Sequence, residues 1–476
     1  MSSHFPLLIA GATASGKAEV HSPYNNDLIA TVDLAGADAM EQALRNAAES
    51  YEKIMRHMPA HERASYLYKV AEQIGAHHED LALTIAREGG KPLKDARVEV
   101  SRAMNSTKMA GDIILHRDGE QISMDRAKGT ENHLAIVIHE GVGPVLAISA
   151  FNHPLNLICH QLCTAFAAGN SVIVKPALQT PISCLKLAGF FKQAGLPDGV
   201  ISVITAGGPE SEMLVRDPRI KFLTFIGSEA VGFKLAKLVA PGVRVALEHG
   251  GTATAIVSAK ADLATAIPSI VRGAFYHAGQ VCVSTQNLYV HASIFDSVLA
   301  QLKTAAAKLV TGDPSDAATD VGPIISAQAL QRIELWLKEA VADGAKIELG
   351  GQRVGQQNLA PTILTNVKHG MQAVCKEVFG PTLNLISYTD IKQVIAETNQ
   401  SNYAFQAAIY TQDIDEGMNA AKAIDAKAVM INDSTAFRVD WMPFGGKKHS
   451  GLGTGGIKNS IEDMSEKKLI VIRVRA

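Results

Sequence analysis

Apolar residues in the first third of the chain recur at the spacing of a helix face. After an N-terminal loop, this spacing predicts three successive helices, over 39–58, 61–77 and 78–87. The third helix is expected to stop at the Gly89-Gly90 pair, because glycine readily adopts the left-handed conformation that ends a helix.

From about residue 133 the rhythm changes to short apolar runs with helical segments between several of them. The runs are HLAIVIHE, PVLAISA, SVIVKP, GVISVIT, KFLTFIG and TAIVSA. The Thr180-Pro181 pair is expected to supply the N-cap and first turn of a helix that ends at Gly195. Apolar strands that alternate with helices indicate a parallel sheet covered on both faces, so a doubly wound α/β architecture is predicted.

A second α/β region is predicted after Glu248, with helices near 262–277, 293–310 and 326–343. The C-terminal segment KKLIVIRVRA is expected to form a strand. This strand and HLAIVIHE can either pair with a neighbouring subunit or complete the chain's own sheet. Because 476 residues exceed what one hydrophobic core usually organises, two or more domains are expected.

Composition narrows the classes of function. An apolar fraction of 47% and a formal net charge of -2 predict a soluble globular protein, and Lys and Arg form no dense run of the kind that binds nucleic acid. No stretch is apolar over enough residues to span a membrane, and the start, MSSHFPLLIAG, does not resemble a secretory signal. Five cysteines suggest free thiols, so a cytoplasmic location is expected. The histidines at 57, 61, 77 and 78 belong to no zinc motif, and no metal is expected.

One segment imitates a phosphate-binding P-loop. Gly11, Gly16 and Lys17 have the right spacing, but Ala18 stands where a magnesium-binding hydroxyl is needed. The turn signals Pro23 and Asn25-Asn26 follow, which favours a hairpin over a phosphate-binding helix. A P-loop nucleotide hydrolase is therefore the alternative from another class.

Seven short segments occur in one order along the chain. They are AFNHPLN, VIVKPA, FIGSEAVG, LEHGG, GQVC, EVFGP and MPFGGKKHSG. Together they resemble the aldehyde dehydrogenase superfamily, non-phosphorylating and NAD(P)-dependent, over essentially the whole chain. The segment FRVDWMPFGG is similar to relatives that act on small hydroxylated or anionic aldehydes, lactaldehyde and phosphonoacetaldehyde dehydrogenases and other semialdehyde dehydrogenases among them.

The resemblance implies an α/β fold with a Rossmann-like cofactor domain, an α/β catalytic domain and a small β oligomerisation flap. The implied boundaries are 1–120 and 142–247 for NAD(P) binding, 248–457 for catalysis, and 121–141 with 458–476 for oligomerisation strands. A homodimer or homotetramer is implied, with a small aldehyde as the substrate and neither nucleic acid nor membrane as a partner.

The chemistry of aldehyde oxidation assigns roles to three residues. Hydride leaves readily only from a tetrahedral adduct, and the thiolate of Cys282 is the candidate nucleophile that forms it. The side chain of Asn152 and the backbone N–H of Cys282 would stabilise the adduct's oxygen. Glu248 would then activate water to hydrolyse the thioester, which predicts the hydrolytic branch of the family. A further alternative is a non-catalytic structural relative of the family. The presence of Cys282, Glu248 and Asn152 together argues against it.

The cofactor site is predicted where the strand KFLTFIG reaches a helix start, because helix N-termini bind phosphate groups. The resemblance extends this site to the following residues: Phe151, Lys175, Gly227, Ser228, Gly232, Glu377 and Phe379. Leu178 stands where many NAD-preferring relatives have a Glu, so NAD and NADP both remain possible.

The substrate pocket is also placed by resemblance. Its predicted members are Arg102, His153, Asn156, Leu157, His160, Arg438 and Phe444. Two guanidinium groups would favour a substrate with an anionic tail, because arginine offers a planar fork that matches carboxylate, sulfonate or phosphonate. The alternative is that Arg438 pairs with Asp440 or Glu462 and Arg102 lies on a helix surface. Val281, where some phosphonate users have an Arg, argues against phosphonate.

Overall fold

The computed structural model of the protein describes residues 3–474. Its helices are α1 (Ala37–Ser50), α2 (Ala60–Ala76), α3 (His78–Gly89), α4 (Leu93–Leu115), α5 (Asn156–Ile158), α6 (Thr164–Ala167), α7 (Ile182–Gln193), α8 (Glu212–Arg216), α9 (Glu229–Ala236), α10 (Leu263–Phe275), α11 (Phe295–Ala306), α12 (Ala327–Ala342), α13 (Gln372–Cys375), α14 (Ile391–Gln400), α15 (Ile414–Ala423) and α16 (Ile457–Asp463). Short π-helical segments cover Tyr51–Met55 and Cys159–Cys163, and 3₁₀ segments cover Tyr276–Gly279 and Ala292–Ile294.

The strands are β1 (Ser3–Phe5), β2 (Gly16–His21), β3 (Leu28–Leu34), β4 (Glu120–Ile122), β5 (His133–Gly141), β6 (Val145–Ile148), β7 (Val172–Lys175), β8 (Ile201–Val203), β9 (Phe222–Ile226), β10 (Arg244–Glu248), β11 (Ala253–Val257), β12 (Thr285–His291), β13 (Lys346–Leu349), β14 (Arg353–Val354), β15 (Asn358–Leu359), β16 (Thr362–Thr365), β17 (Thr382–Tyr388), β18 (Tyr403–Ala404), β19 (Gln406–Tyr410), β20 (Ala428–Ile431), β21 (Lys447–Lys448), β22 (Gly451–Leu452) and β23 (Ser465–Arg473).

A six-stranded sheet of order β22-β10-β9-β6-β7-β8 forms the first α/β layer. Its strands are parallel except β22, which pairs antiparallel with β10. Along β7, Val172 and Val174 belong to one hydrophobic cluster and Ile173 to another, because alternate side chains point to opposite faces. Both faces are therefore covered, as predicted for a doubly wound sheet.

A seven-stranded sheet of order β13-β16-β17-β12-β11-β19-β20 forms the second layer. Only the β13–β16 pair is antiparallel. Here Ala255 and Val257 of β11 join a cluster with α10 and α12, whereas Ile256 packs into a separate cluster on the other face. The predicted second α/β region is thus present after Glu248.

The N-terminal P-loop look-alike is a hairpin. Gly16 and Lys17 lie in β2, which pairs antiparallel with β3 through residues such as Asp33. No helix follows Lys17 in the way that phosphate binding requires, so the alternative of a P-loop hydrolase is wrong.

The predicted cap of α7 is also wrong. The helix begins at Ile182, and the hydroxyl of Thr180 is buried without a hydrogen-bond partner. Instead the Glu88 carboxylate accepts hydrogen bonds from the backbone N–H groups of Ile182 (2.8 Å) and Ser183 (2.9 Å). A buried carboxylate from α3 satisfies two free donors at once, which one hydroxyl cannot do.

A three-stranded antiparallel sheet of order β23-β5-β4 uses the C-terminal strand. β23 pairs with β5 along its whole length, from Ser465 opposite Gly141 to Arg473 opposite His133. The two strands pair with each other within the chain, and the outer edge of β23 is unpaired among residues 3–474. No helix within residues 3–474 has the length and apolar character needed to span a membrane.

Candidate active site

A cleft of about 750 Å³ opens at the carboxyl ends of β6, β7, β9 and β10. Crevices at this edge are where open α/β sheets bind ligands. The loop before β12 and the segments 376–379 and 436–444 complete its walls. Three predicted residues, Cys282, Glu248 and Asn152, all line this one cleft.

Cys282 lies on a tightly packed loop after α10. His277, Ala278 and Gly279 have φ angles of 48°, 55° and 68°, a run in the left-handed region that side chains rarely adopt. A Cβ on Gly279 would lie 2.0 Å from the carbonyl oxygen of Gly380, so only glycine fits there. The loop therefore presents Cys282 from a backbone with little freedom to move.

Gln280 connects this loop to the oxyanion candidate. The Nδ2 of Asn152 donates to the carbonyl oxygen of Gln280 at 2.9 Å, and the Gln280 side chain bonds the backbone of Pro323 and Ile325. One N–H of the Asn152 amide is thereby used. The Oδ1 of the same amide is buried without a hydrogen-bond partner among residues 3–474, and the amide keeps a second N–H for the oxygen of the adduct.

The electrostatic surroundings raise the pKa of both reacting groups. Burial raises the pKa of the Cys282 thiol well above its ordinary value, with a further contribution from Glu248, whereas Arg438 lowers it. Burial likewise raises the pKa of Glu248, opposed by Arg438. The Oε1 of Glu248 is buried and has no hydrogen-bond partner within residues 3–474. A raised pKa makes this carboxylate a stronger base toward water.

The other end of the cleft has the features of a dinucleotide site. Gly227 and Ser228 line the cleft where β9 meets α9, and no described side chain caps this helix. The Glu377 carboxylate accepts from the Gly251 N–H at 3.0 Å, and burial raises its pKa to about 7. A Cβ on Gly250 would lie 1.5 Å from Glu377 Oε1, so glycine is required for this approach.

These residues fit a nicotinamide dinucleotide, because free backbone N–H groups at a helix start suit a pyrophosphate. The aromatic rings of Phe151 and Phe379 meet edge to face in the same wall, with centroids 5.8 Å apart. Lys175, at the end of β7, and Gly232, which abuts the His249 ring, lie behind the cleft walls.

At the substrate end, Arg102 and Arg438 both line the cleft, but they differ in their partners. Arg102 donates to Asp440 through Nε (3.0 Å) and Nη2 (2.7 Å), so the idea that Arg102 lies free on a helix surface is wrong. The Nε of Arg438 is buried without a hydrogen-bond partner, and its guanidinium stacks 3.5 Å from the centroid of Phe444. The alternative pairing of Arg438 with Asp440 or Glu462 is absent among the described residues.

The remaining predicted pocket residues divide between the cleft and its surroundings. His153 and Leu157 line the cleft. His160 and Asn156 bind Asp440, at 2.8 Å and 3.2 Å, and His160 lines an adjoining cavity with Glu248 and Arg438, so their role in the substrate pocket stays a prediction. Both lie on a segment that turns into a π-helix at Cys159, which the sequence pattern did not indicate.

Sequence reasoning missed several residues of the walls. They are Arg332, Trp336, Tyr276 and Tyr403. Arg332 donates to the carbonyl oxygens of Glu377 and Val378 and stacks on Trp336. Only the long-range fold brings α12 to the cofactor end, and no local motif marks it.

The aldehyde dehydrogenase family model matches residues 10–470 of the chain. The chain belongs to the aldehyde dehydrogenase family. A 3-sulfolactaldehyde dehydrogenase from Priestia aryabhattai is 40% identical over 463 residues, which cover 97% of this chain and 96% of the relative.

Solved structures of other aldehyde dehydrogenases share the fold. Aldehyde dehydrogenase 21 from Physcomitrella patens, in complex with the reaction product succinate, has a TM-score of 0.96 and 34% identity, with 99% of both chains covered. The NADP-dependent glyceraldehyde-3-phosphate dehydrogenase from Bacillus halodurans C-125, complexed with NADP, has a TM-score of 0.96 and 32% identity, with 100% of both chains covered. The predicted fold class and the NAD(P)-dependent oxidation of an aldehyde are confirmed.

Proposed function

We propose that this aldehyde dehydrogenase oxidises small aldehydes that carry an anionic group, the semialdehyde class, to the corresponding acids. The observation that carries the proposal is Arg438, a guanidinium in the cleft that contains Cys282, which has no carboxylate within 4.0 Å among residues 3–474 and whose strongest charged neighbour is Glu248. A partly buried cation without an ion-pair partner is stabilised when a ligand supplies the negative charge. An aldehyde with an acid group supplies it while its carbonyl reaches Cys282.

The catalytic steps follow from the three residues at the centre. The thiolate of Cys282 adds to the carbonyl carbon, and the new oxyanion accepts hydrogen bonds from Asn152 Nδ2 and the Cys282 N–H. After hydride has left, the acyl group remains on the sulfur as a thioester. Glu248 then takes a proton from water, and the resulting hydroxide releases the acid and restores the thiolate.

A bound nicotinamide cofactor supplies the hydride acceptor. Ser228 and the first turn of α9 would bind its pyrophosphate, Glu377 the ribose on the nicotinamide side and Lys175 the ribose of adenosine. Because Leu178 offers no carboxylate to repel a 2′-phosphate, we propose that both NAD and NADP are accepted.

The named relatives support an anionic substrate. The Priestia enzyme is named for a sulfonated aldehyde, and the Physcomitrella enzyme was solved with a dicarboxylate product. Both names describe acids of the kind that a single arginine can bind through a planar fork.

The test compares succinic semialdehyde with butanal, which has the same number of carbon atoms and no charge, each with NAD and with NADP. We expect the wild type to prefer the semialdehyde, and Arg438→Gln to lower kcat/KM for it by about tenfold or more. At a pH above the acid limb of the pH–rate profile, turnover of butanal should fall far less than turnover of the semialdehyde. Equal rates on both aldehydes in the wild type would remove the anionic part of the proposal.

We further propose a homo-oligomer assembled through the β23-β5-β4 sheet. The outer strand has an open edge and exposes Leu469, Ile470, Val471 and Ile472. In this proposal, residues 1–120 with 142–247 bind the cofactor, 248–457 form the catalytic domain, and 121–141 with 458–476 provide the subunit contact.

A further inference from the structure

Two arginines and one aspartate set the charge at the substrate end of the cleft. Arg102 and Arg438 both line the cleft with Cys282, and Asp440 lies buried behind them. One carboxylate can neutralise only one of the two guanidinium groups. The choice of the arginine that pairs with Asp440 therefore determines which guanidinium is left to bind the acid group of the substrate.

Asp440 is anchored to Arg102 by several contacts at once. Besides the bidentate pair with Arg102, its Oδ1 accepts from His160 Nε2 at 2.8 Å and from Asn156 Nδ2 at 3.2 Å. Burial favours the protonated acid, but the hydrogen bonds from His160 and Arg102 outweigh it and lower the pKa of Asp440 well below its ordinary value. Asp440 is a fixed negative charge.

His160 adds no compensating positive charge. Burial, with the charge of Arg438 next, lowers the pKa of His160 to about 4, so its ring is neutral at working pH. No carboxylate oxygen within residues 3–474 lies within 4.0 Å of the Arg438 guanidinium. Arg102 therefore has a carboxylate partner at ion-pair distance and Arg438 has none, and the strongest charge acting on Arg438 is that of Glu248.

We propose that Asp440 is a specificity-determining residue: by pairing with Arg102 it leaves Arg438 as the one guanidinium of the two that is available to the acid group of the substrate, and so selects aldehydes with a singly charged acid group over those with a doubly charged phosphate or phosphonate. The inference rests on the proposed function, since it concerns the acid group of the same substrate. Carboxylate and sulfonate share the required chemistry, a single negative charge on oxygen atoms.

Coulomb's law gives the direction of the effect. Removing the charge of Asp440 makes the pocket more positive by one unit, and a dianion gains about twice as much from this change as a monoanion at the same place. Removing the charge of Arg102 has the opposite sign. The ratio of kcat/KM for a dianion to that for a monoanion therefore reports the pocket charge separately from catalysis.

The probes are four aldehydes with equal chain length: succinic semialdehyde, 3-sulfopropanal, 3-phosphonopropanal and butanal. Sulfonate and phosphonate have the same tetrahedral shape, and at pH 8.5 they differ mainly in charge. We expect the wild type to prefer the sulfonate and carboxylate to the phosphonate. Asp440→Asn, which keeps the shape of the side chain, should raise the phosphonate-to-sulfonate ratio by about tenfold or more.

Two further variants complete a double-mutant cycle between Asp440 and Arg102. Arg102→Gln should lower the same ratio, and the double variant Asp440→Asn with Arg102→Gln should return it to near the wild-type value. The matched control is Glu79→Gln. Glu79 forms an exposed bidentate pair with Arg97, which lies on the same helix as Arg102, and the substitution removes the carboxylate of that pair. This control changes the net charge equally and should leave the ratio unchanged.

The outcomes separate the two proposals. If all acid-bearing aldehydes are oxidised no better than butanal, the anionic substrate itself is wrong. If the acids are preferred but the ratio stays constant across the Asp440 and Arg102 variants, or the wild type prefers the phosphonate, only the role of Asp440 is overturned. Should Asp440→Asn fail to fold, Arg102→Gln alone still decides, because a ratio that does not fall contradicts the proposal.

Discussion

Cys282 combines a reactive position with an unfavourable pKa. Burial and the charge of Glu248 both raise the pKa of its thiol, so little thiolate exists at neutral pH in the free protein. Since the charge of Glu248 opposes ionisation of the neighbouring thiol, we assign Glu248 to the activation of water in thioester hydrolysis and not to deprotonation of Cys282.

Glu248→Gln should therefore speed alkylation of Cys282 by iodoacetamide at pH 7.5 while it abolishes steady-state turnover and leaves acyl-enzyme to accumulate. The rate is measured by mass spectrometry in a Cys375→Ser background, because Cys375 is the exposed competing thiol. Cys282→Ser serves as the blank. Slower alkylation in Glu248→Gln would show instead that Glu248 deprotonates the thiol.

Arg438 also acts on the catalytic pair through its charge. It lowers the pKa of Glu248, against the larger effect of burial. Glu248 must be ionised to accept a proton from water, so activity falls as the pH drops through its pKa. Arg438→Gln should raise that pKa and move the acid limb of the pH–rate profile to higher pH.

The measurement uses butanal, so that loss of the anion contact does not complicate the profile. Arg97→Gln on the exposed part of α4 is the control and should leave the limb in place. An acid limb that is unchanged or lower in Arg438→Gln would contradict this charge coupling.

At the residue scale, sequence motifs identified the reacting side chains but not the ion-pair partners of the arginines in the cleft. GQVC and LEHGG lead directly to Cys282 and Glu248, because a reacting atom needs a particular side chain on a particular turn. The ion pair of Arg102 with Asp440 spans 338 positions, and Arg438, only two residues from Asp440, stays unpaired. Proximity in sequence suggested the wrong arginine, because the tertiary fold places Arg102 of α4 against Asp440 and the guanidinium of Arg438 over the ring of Phe444.

At the scale of elements, a buried ion pair positions the segment of Asn152. Lys91 and Glu99 are fully buried and bonded to each other, and Glu99 Oε1 also accepts from the backbone N–H groups of Leu155 (3.0 Å) and Asn156 (3.1 Å). The pair thus joins α4 to the start of α5, directly after the oxyanion candidate.

Glu99→Ala should destabilise the protein by about 3 to 5 kcal/mol, because it leaves Lys91 as an unpaired buried charge. It should also lower kcat more than it raises KM, since Asn152 acts on the transition state. Urea denaturation and steady-state kinetics measure the two effects. Glu79→Gln breaks an exposed pair and should leave the free energy of unfolding close to the wild-type value; equal losses in both variants would contradict the assigned role of Glu99.

The boundaries of helices with one exposed face could be predicted from the sequence. The boundaries of the fully buried helical segment after Asn152 could not. The helices predicted over 61–77 and 78–87 match Ala60–Ala76 and His78–Gly89, because amphipathic spacing reflects one buried face. The segment 156–167 is buried on every side, so its apolar pattern has no period, and its π-helical turn depends on contacts with α4. Likewise the cap of α7 comes from Glu88, a residue that tertiary packing alone brings there.

At the scale of the whole molecule, the outer sheet exposes an apolar patch around β23. Five apolar residues in and just after β23 are between 37% and 55% exposed, namely Leu469, Ile470, Val471, Ile472 and Val474, and Leu134 and Ile138 of β5 extend the patch. A long apolar strand with an open edge pairs readily with another chain. A second copy of this chain is the proposed occupant, because the same strand in two copies is self-complementary about a two-fold axis.

Replacing Ile470 and Ile472 by Lys should dissociate the assembly, because both side chains lie on the same side of β23, and two buried charges without partners would oppose docking. Light scattering coupled to size exclusion should give a mass of 50.6 kDa for the variant and two or four times that mass for the wild type. Leu335→Lys, at an isolated site on α12 that is 53% exposed, is the control and should keep the wild-type mass. A wild type that elutes as a monomer, or a variant that keeps the larger mass, would show that this sheet is not the subunit contact.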